Sequence, residues 1–379
     1  MTRALSVVAP EPVAVRAGKR AAPRKPQDWR WQLQNAVRTT SELDRAITLT
    51  DDERAGALAA EHAGLPMSIT PYYLGLVDRD DPSCPIRRQV VPHAAESREV
   101  PGDLRDPLGE EAHEAAPHLV RRYPDRALVI ATDRCAVYCR FCTRSRLVGA
   151  GGGATSLERL AGAFEYLRAH PEVRDVIISG GDPLAMATDR LVRVVRALRD
   201  VPSVETIRLA TRVPVALPQR ITSELLNALK PHHPLWVMTH FNHPKELTEA
   251  SRLACRRLAD AGFPVMNHTV LLRGVNDDAA TLSTLFRGLV RERVRPYYLL
   301  QADPVRGTGH LRTPLATGVR IMGELQGRLS GIALPKFIVD TPGGMGKVPA
   351  GPDYVVERAP GRTRFRTHRD VEVDYVDPP

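Results

Sequence analysis

Three cysteines fall within eight residues, Cys135-Ala136-Val137-Tyr138-Cys139-Arg140-Phe141-Cys142, in a CxxxCxxC spacing. Two others, Cys84 and Cys255, stand alone. Soft thiolates clustered in this way point to metal or redox chemistry rather than to a disulfide framework. Structural zinc asks for four protein ligands, and no nearby Cys or His supplies the fourth. Three thiolates can instead hold three irons of a [4Fe–4S] cluster and leave the fourth iron open to a chelating ligand. Zinc and inert buried thiols are the competing readings of the same residues. A second centre is Lys347, after the glycine-rich Gly343-Gly344-Met345-Gly346 turn; taken alone it reads as a solvated loop lysine.

Such groups need a frame, and the chain supplies a repeating one. Apolar, β-rich runs recur at 127–131, 175–179, 206–210, 235–239, 265–272 and 296–301. Helical patterns lie between or after them at 156–170, 189–198, 223–229, 245–261, 278–292 and 317–329. The runs lack strict polar alternation, as expected of strands covered on both faces. Alternation of this kind implies right-handed βαβ crossovers and a parallel sheet. The expectation is an α/β fold, a partial (βα)6 TIM-like barrel, with a doubly wound sheet as the competitor. Each run ends in polar or glycine-rich residues: the cysteine triplet, Gly180-Gly181-Asp182, Arg212, His240 with Asn242, Asn267 with His268, and Asp303. In a barrel those ends converge on one face, where chemistry is done.

Four regions are expected. Residues 1–27 read as a disordered basic tail, with charges separated by Pro and Ala. Residues 28–120 read as a helical N-terminal extension, one helix around Trp29 to Val37 and another carrying Leu43, Ile47, Leu49 and Leu58, with no visible chemistry. The barrel occupies 121–335. Residues 336–379 hold the Lys347 loop and short strands at 353–357, 363–366 and 371–375. The 379 residues include 53 Lys and Arg against 44 Asp and Glu, a net +9. Much of that excess sits in the tail, so the basic charge argues only weakly for nucleic acid. No run approaches the roughly 18 apolar residues of a membrane span. The stretch from Ala4 to Ala9 is short for a secretion signal and is followed by Pro10, Pro12 and Arg16. A cytoplasmic enzyme with no membrane partner is the expectation.

The CxxxCxxC segment after the first strand, with Ser179-Gly180-Gly181-Asp182-Pro183 ending the second, resembles the radical S-adenosylmethionine superfamily. Four further stretches are similar to the lysine 2,3-aminomutase family: Cys139-Arg140-Phe141-Cys142-Thr143-Arg144-Ser145-Arg146, Thr239-His240-Phe241-Asn242-His243-Pro244, Leu271-Leu272-Arg273-Gly274-Val275-Asn276-Asp277, and Asp340-Thr341-Pro342-Gly343-Gly344-Met345-Gly346-Lys347. They occur in one order from about Trp29 to the C-terminus. The resemblance implies an isomerase that uses a [4Fe–4S] cluster, S-adenosyl-L-methionine and pyridoxal 5′-phosphate. A deoxyadenosyl radical would take a hydrogen from the substrate β-carbon, and the amino group would move from Cα to Cβ, turning L-lysine into β-lysine.

The same resemblance assigns roles. Cys135, Cys139 and Cys142 would bind the cluster, and Lys347 would form the Schiff base with pyridoxal phosphate. Arg122, Tyr123 and Arg126 would contact its phosphate. Gly180, Gly181, Asp182, His240 and His268 would lie beside the cofactors. Arg144 would hold the substrate carboxylate, and Asp303 and Asp340 the side-chain ammonium. Two carboxylates aimed at one buried place repel unless a cation sits between them, which selects against glutamate. The implied partners are a small amino acid and an external electron donor such as flavodoxin or ferredoxin, with homo-oligomerisation left open. The chain departs from the family at three places: Asp278 stands where a zinc-binding cysteine is expected, and His268 and Leu300 where Gln and Tyr are expected. With no cysteine after Cys255, zinc is not expected. Arginine as substrate, lysine within elongation factor P, and a non-catalytic iron–sulfur or zinc module binding nucleic acid are the alternatives.

Overall fold

The computed structural model describes residues 28–62, 65–149, 151 and 153–378. The basic tail, 1–27, lies outside the described residues. In chain order the first elements are helices α1 (Trp29–Gln34), α2 (Thr40–Ala46), α3 (Asp51–His62) and α4 (Pro71–Leu74), then strands β1 (Glu114–Ala116), β2 (Leu119–Val120) and β3 (Arg126–Thr132). The repeating part follows as α5 (Leu157–Ala169), β4 (Asp175–Gly180), α6 (Thr188–Arg199), β5 (Thr206–Ala210), α7 (Val213–Ala216), α8 (Ser223–Leu229), β6 (Leu235–Thr239), α9 (Glu249–Asp260), β7 (Val265–Leu271), α10 (Ala279–Arg291), β8 (Val294–Gln301), α11 (Leu315–Leu325) and β9 (Lys336–Thr341). The chain closes with β10 (Gly346–Pro349), β11 (Val355–Ala359), β12 (Arg362–Arg366) and β13 (Glu372–Val376).

Strands β1 to β10 form one sheet in sequence order. From β3 to β9 every neighbouring pair is parallel, while β1, β2 and β10 are antiparallel to their neighbours. All six expected strands are present, and β9 adds a seventh parallel strand. Strands β11 to β13 form a separate antiparallel sheet whose last strand is fully exposed.

The helices cover the sheet because their apolar residues recur at i, i+3, i+4 and i+7. In α5 the buried set is Leu160, Ala163, Phe164 and Leu167; in α6 it is Leu191, Val194, Val195 and Leu198; in α10 it includes Leu282, Leu285, Phe286 and Leu289. Side-chain caps start several of them: Ser156, Thr248 and Asp278 accept from the third backbone N–H of α5, α9 and α10. Asp278 is therefore occupied as a cap, with Thr281 N at 2.8 Å. Alternation along the strands separates core from lumen. On β7, Asn267, Thr269 and Leu271 are buried, while His268 and Val270 line a central cavity.

The N-terminal region, 28–120, expected to be helical, also supplies β1 and β2 to the main sheet. The expected second helix is two helices, α2 and α3, because Ile47 leaves α2 in extended backbone at φ −138°. Val37 bridges to Ile69 as an isolated β pair. The region also braces the cysteine loop. Tyr138 N donates to Ser68 O at 2.9 Å and Arg140 N to Gln89 O at 2.9 Å. The Arg140 side chain reaches Leu65 O, Pro66 O and the Glu96 carboxylate.

Candidate active site

One cavity of about 290 Å³ opens at the C-terminal ends of the parallel strands. Its wall contains Cys135, Cys139, Cys142, Arg144, Gly180, Gly181, Asp182, His240, His268, Asp303, Asp340 and Lys347. Residues on or just after the six strands β3 to β8 and from the β9–β10 hairpin thus meet, although they span more than half of the chain. Arg122, Tyr123 and Arg126 stand outside that wall: Arg122 Nε donates to Gly344 O of the hairpin at 3.3 Å, and the Arg126 guanidinium lies over the Tyr123 ring.

The three thiols are free and partly buried. Burial pushes the Cys135 thiol well above its ordinary range and Cys142 up to about 11. Neutral thiols gain nothing from such a position, whereas coordination to iron would compensate their desolvation. Among the described residues no group of three His, Cys, Asp or Glu could hold a single metal ion. Three thiols around a shared cavity fit a cluster with one sulfur per iron. The loop lies close on β4 because of the glycine pair. Gly181 N donates to Thr132 O at 2.6 Å, and a Cβ on Gly181 would come within 2.4 Å of Arg134 O. Gly180, at φ +103°, has Thr132 O equally near. These glycines let backbone approach backbone and place the cysteine loop.

Asp182 is committed within the protein. It accepts from Thr211 Oγ1 at 2.7 Å, Arg212 N at 2.7 Å and Leu184 N at 3.0 Å. Burial nevertheless raises its pKa to about 6. The residue it positions, Arg212, has a buried guanidinium that donates to Cys139 Sγ at 2.6 Å, Gln89 Oε1 at 2.6 Å, Glu246 Oε1 at 2.8 Å and Tyr73 Oη at 3.0 Å.

At the opposite end, Lys347 on β10 faces Asp340 across the hairpin and donates to its Oδ2. Arg122 Nη2 holds the other oxygen at 2.7 Å. The hairpin is fitted against the N-terminal region: Gly343 N donates to Pro107 O at 2.9 Å, and a Cβ on Gly344, at φ +80°, would meet Leu108 O at 2.5 Å. Asp303 accepts from Thr143 Oγ1 at 3.0 Å. Burial, helped by the charge of Asp340, raises its pKa to about 6. Two carboxylates therefore do share one part of the cavity. Arg144 is held by Glu110, with Nε at 2.9 Å and Nη2 at 2.7 Å, and by Ser179 Oγ at 3.2 Å. Burial opposes the ionisation of Glu110, but Arg144 and Arg146 prevail and hold its pKa below the usual value.

His240 and His268 are kept neutral. Burial depresses both, assisted by Arg212 and His268 at His240 and by Lys347 and Arg208 at His268, whose pKa falls to about 3. His268 stacks near Tyr297 and Tyr298, each with ring centroids 5.5 Å away. The Nε2 atoms of His240 and His268, Thr239 Oγ1, Gln301 Oε1 and Arg212 Nε belong to residues lining this cavity, and all are buried without a hydrogen-bond partner. Tyr123 Oη is likewise unpartnered, under the Arg126 guanidinium 4.3 Å from its ring. So many unmet polar atoms fit a wall built for polar ligands.

Glu110, Arg212, Glu246, Tyr73 and Gln89 carry no motif, and sequence reading gave none of them except Arg212 any place near the chemistry. The bonds that join them to one another and to Arg144 span 34 to 173 residues. Only Arg212, a charged residue at the head of the apolar run 213–217, carries a local signal.

A parallel sheet with three cysteines after its first parallel strand and a glycine pair after the next defines a radical S-adenosylmethionine enzyme. The superfamily model for Radical SAM matches residues 129–285, and the one described as Lysine-2,3-aminomutase matches residues 322–379. The chain is 46% identical over 351 residues to the L-lysine 2,3-aminomutase of Clostridium subterminale, covering 93% of this chain and 84% of that one. It is 45% identical to the L-lysine 2,3-aminomutase of Fusobacterium nucleatum, covering 93% and 82%. It is 39% identical over 356 residues to the glutamate 2,3-aminomutase of Clostridioides difficile, covering 93% and 84%. The chain belongs to the lysine 2,3-aminomutase family. It is an isomerase that uses a [4Fe–4S] cluster, S-adenosylmethionine and pyridoxal phosphate, and the reading as a non-catalytic module is set aside.

Proposed function

We propose that this enzyme converts L-lysine to β-lysine, with Asp303 and Asp340 receiving the side-chain ammonium. The observation that carries this reading is the pair of carboxylates beside Lys347 in one cavity, close enough for Asp340 to raise the pKa of Asp303. A cation entering there relieves their repulsion and holds Asp303 in its charged form. A glutamate side chain would add a third negative charge.

Arg144 binds the substrate carboxylate through guanidinium hydrogens not taken by Glu110 and Ser179, and Glu110 holds it in place. Cys135, Cys139 and Cys142 hold the cluster, and the unpartnered atoms of His240 and Thr239 serve the adenosylmethionine side of the cavity. Lys347 anchors pyridoxal phosphate, with Arg122, Tyr123 and Arg126 on its phosphate. When bound, the cofactors supply a hydrogen-abstracting radical and a π system for the migrating nitrogen. The protein's own part is to orient Cβ, exclude water and hold charges still. Lys347 donates to Asp340 Oδ2, and on anchoring pyridoxal phosphate it would vacate that oxygen for the substrate ammonium.

The reaction is an isomerisation: an amino group and a hydrogen exchange carbons, and the electron that starts it is not consumed. An external one-electron donor of the flavodoxin or ferredoxin type supplies that electron, and a cytoplasmic location keeps the thiols reduced. Self-association is supported by the apolar residues Val373, Tyr375 and Val376 exposed on β13. The test is anaerobic turnover of the reconstituted protein with free lysine, arginine, glutamate and a lysine-bearing elongation factor P, read by mass spectrometry and NMR. β-Lysine as the main product is expected. Conversion of arginine alone, or of the protein substrate alone, overturns the assignment.

A further inference from the structure

Beyond ligation of the cluster, one buried cation touches a cysteine sulfur. The Arg212 guanidinium places Nη2 on Gln89, Glu246 and Tyr73, but Nη1 has a single partner, Cys139 Sγ at 2.6 Å. The rings of Phe141 and Tyr73 flank it at 5.3 and 5.4 Å. Its backbone N–H is held by Asp182 at 2.7 Å. Glu246 is equally fixed: its other oxygen accepts from Asn242 N at 2.6 Å and His243 N at 2.9 Å. Among the described residues neither Cys135 nor Cys142 receives a side-chain hydrogen bond. The ion pair with Glu246 is complete without the sulfur, so packing alone does not require the Nη1 contact.

We propose that Arg212 sets the reduction potential of the cluster through the N–H it donates to Cys139, with Glu246 limiting the effect. Positive charge and hydrogen bonding at a ligating sulfur favour the more electron-rich state of an iron–sulfur cluster, and a water-poor site strengthens both. Arg212 is thus a positioning residue that acts through Cys139. The inference rests on the three-cysteine cluster assignment.

The test is an EPR-monitored potentiometric titration of full-length, anaerobically reconstituted protein, dithionite supplying single electrons through mediators. With iron and sulfide content equal to the parent, Arg212→Gln is expected to shift the reduction equilibrium about tenfold toward the oxidised cluster, 59 mV for one electron. Arg212→Lys, which keeps the charge, recovers part of the shift. Glu246→Gln leaves the guanidinium uncompensated and moves the potential upward. A purely packing role would lower the melting temperature in these variants without opposite shifts in potential. An unchanged potential in fully loaded Arg212→Gln, or shifts of the same sign in both variants, overturns the proposal. Should Arg212→Gln fail to take up iron, the sign in Glu246→Gln decides: a rise supports the proposal, and no change or a fall overturns it. A parent protein that binds no iron would sink the cluster assignment itself, a separate outcome.

Discussion

The two ends of the cavity are built by opposite rules. At the cysteine end, Arg212 has four side-chain partners drawn from α4, the turn at Gln89, the turn at Glu246 and the cysteine loop. At the hairpin end, Lys347 has one hydrogen-bonding carboxylate, which it shares with Arg122. On the proposed roles the thiols hold the cluster through every turnover, so over-determination costs the reaction nothing. On the same proposal the lysine has to exchange partners, and a single ion pair lets it do so. Rigidity and exchange are thus separated by the width of one cavity.

The strongest way to break this contrast is to remove each end in turn. Cys142→Ala is expected to abolish turnover and iron binding while Lys347 still forms a borohydride-trapped adduct with pyridoxal phosphate, seen by peptide mass spectrometry. Lys347→Ala is expected to abolish turnover while retaining iron and sulfide. If either change empties both ends, the two are not independent. Asp303→Asn should raise KM for lysine about 10- to 100-fold, the range for loss of a charged hydrogen bond, with a smaller change in kcat. It should also narrow the preference for lysine over glutamate.

A pH profile sharpens the same point. Asp303 has its pKa raised to about 6 by burial and by Asp340, so it is charged above that value and neutral below. The free-enzyme profile of kcat/KM for lysine should therefore fall as pH drops through about 6, by about tenfold per unit. Asp303→Asn should remove that limb; its persistence would place the titration elsewhere. The smallest effect is expected away from both ends. Asp278→Ala removes the cap of α10 and should cost about 1 kcal/mol in denaturant unfolding, with turnover unchanged.

Much of this arrangement was legible in the sequence where the signal is local. Apolar-rich strands of five or more residues, helices with a 3.6 period and the CxxxCxxC spacing all declare themselves within one window. The helix expected at 223–229 matches α8 residue for residue. Strand β9 was hidden because Lys336–Thr341 lies between Pro335 and Pro342 and runs straight into the Lys347 loop, so it read as part of that loop. The polar network was hidden for another reason. Tyr73 and Glu246 are 173 residues apart, and a buried pair at that separation has no periodicity to betray it. The same holds for Glu110 and Arg144, 34 residues apart, where the sequence suggested the arginine but not the carboxylate that steadies it. The glycine pair was seen, but its steric role emerged only when β3 and β4 were side by side.

The register of the β9–β10 hairpin carries a lesson for anyone altering this enzyme. Lys347 and Asp340 are direct cross-strand neighbours, joined by a turn of only a few residues. Because side chains alternate faces along a strand, one inserted or deleted residue in that turn would swing the amine to the far side of the ribbon. The turn acts as a ruler: its composition can drift, but its length cannot.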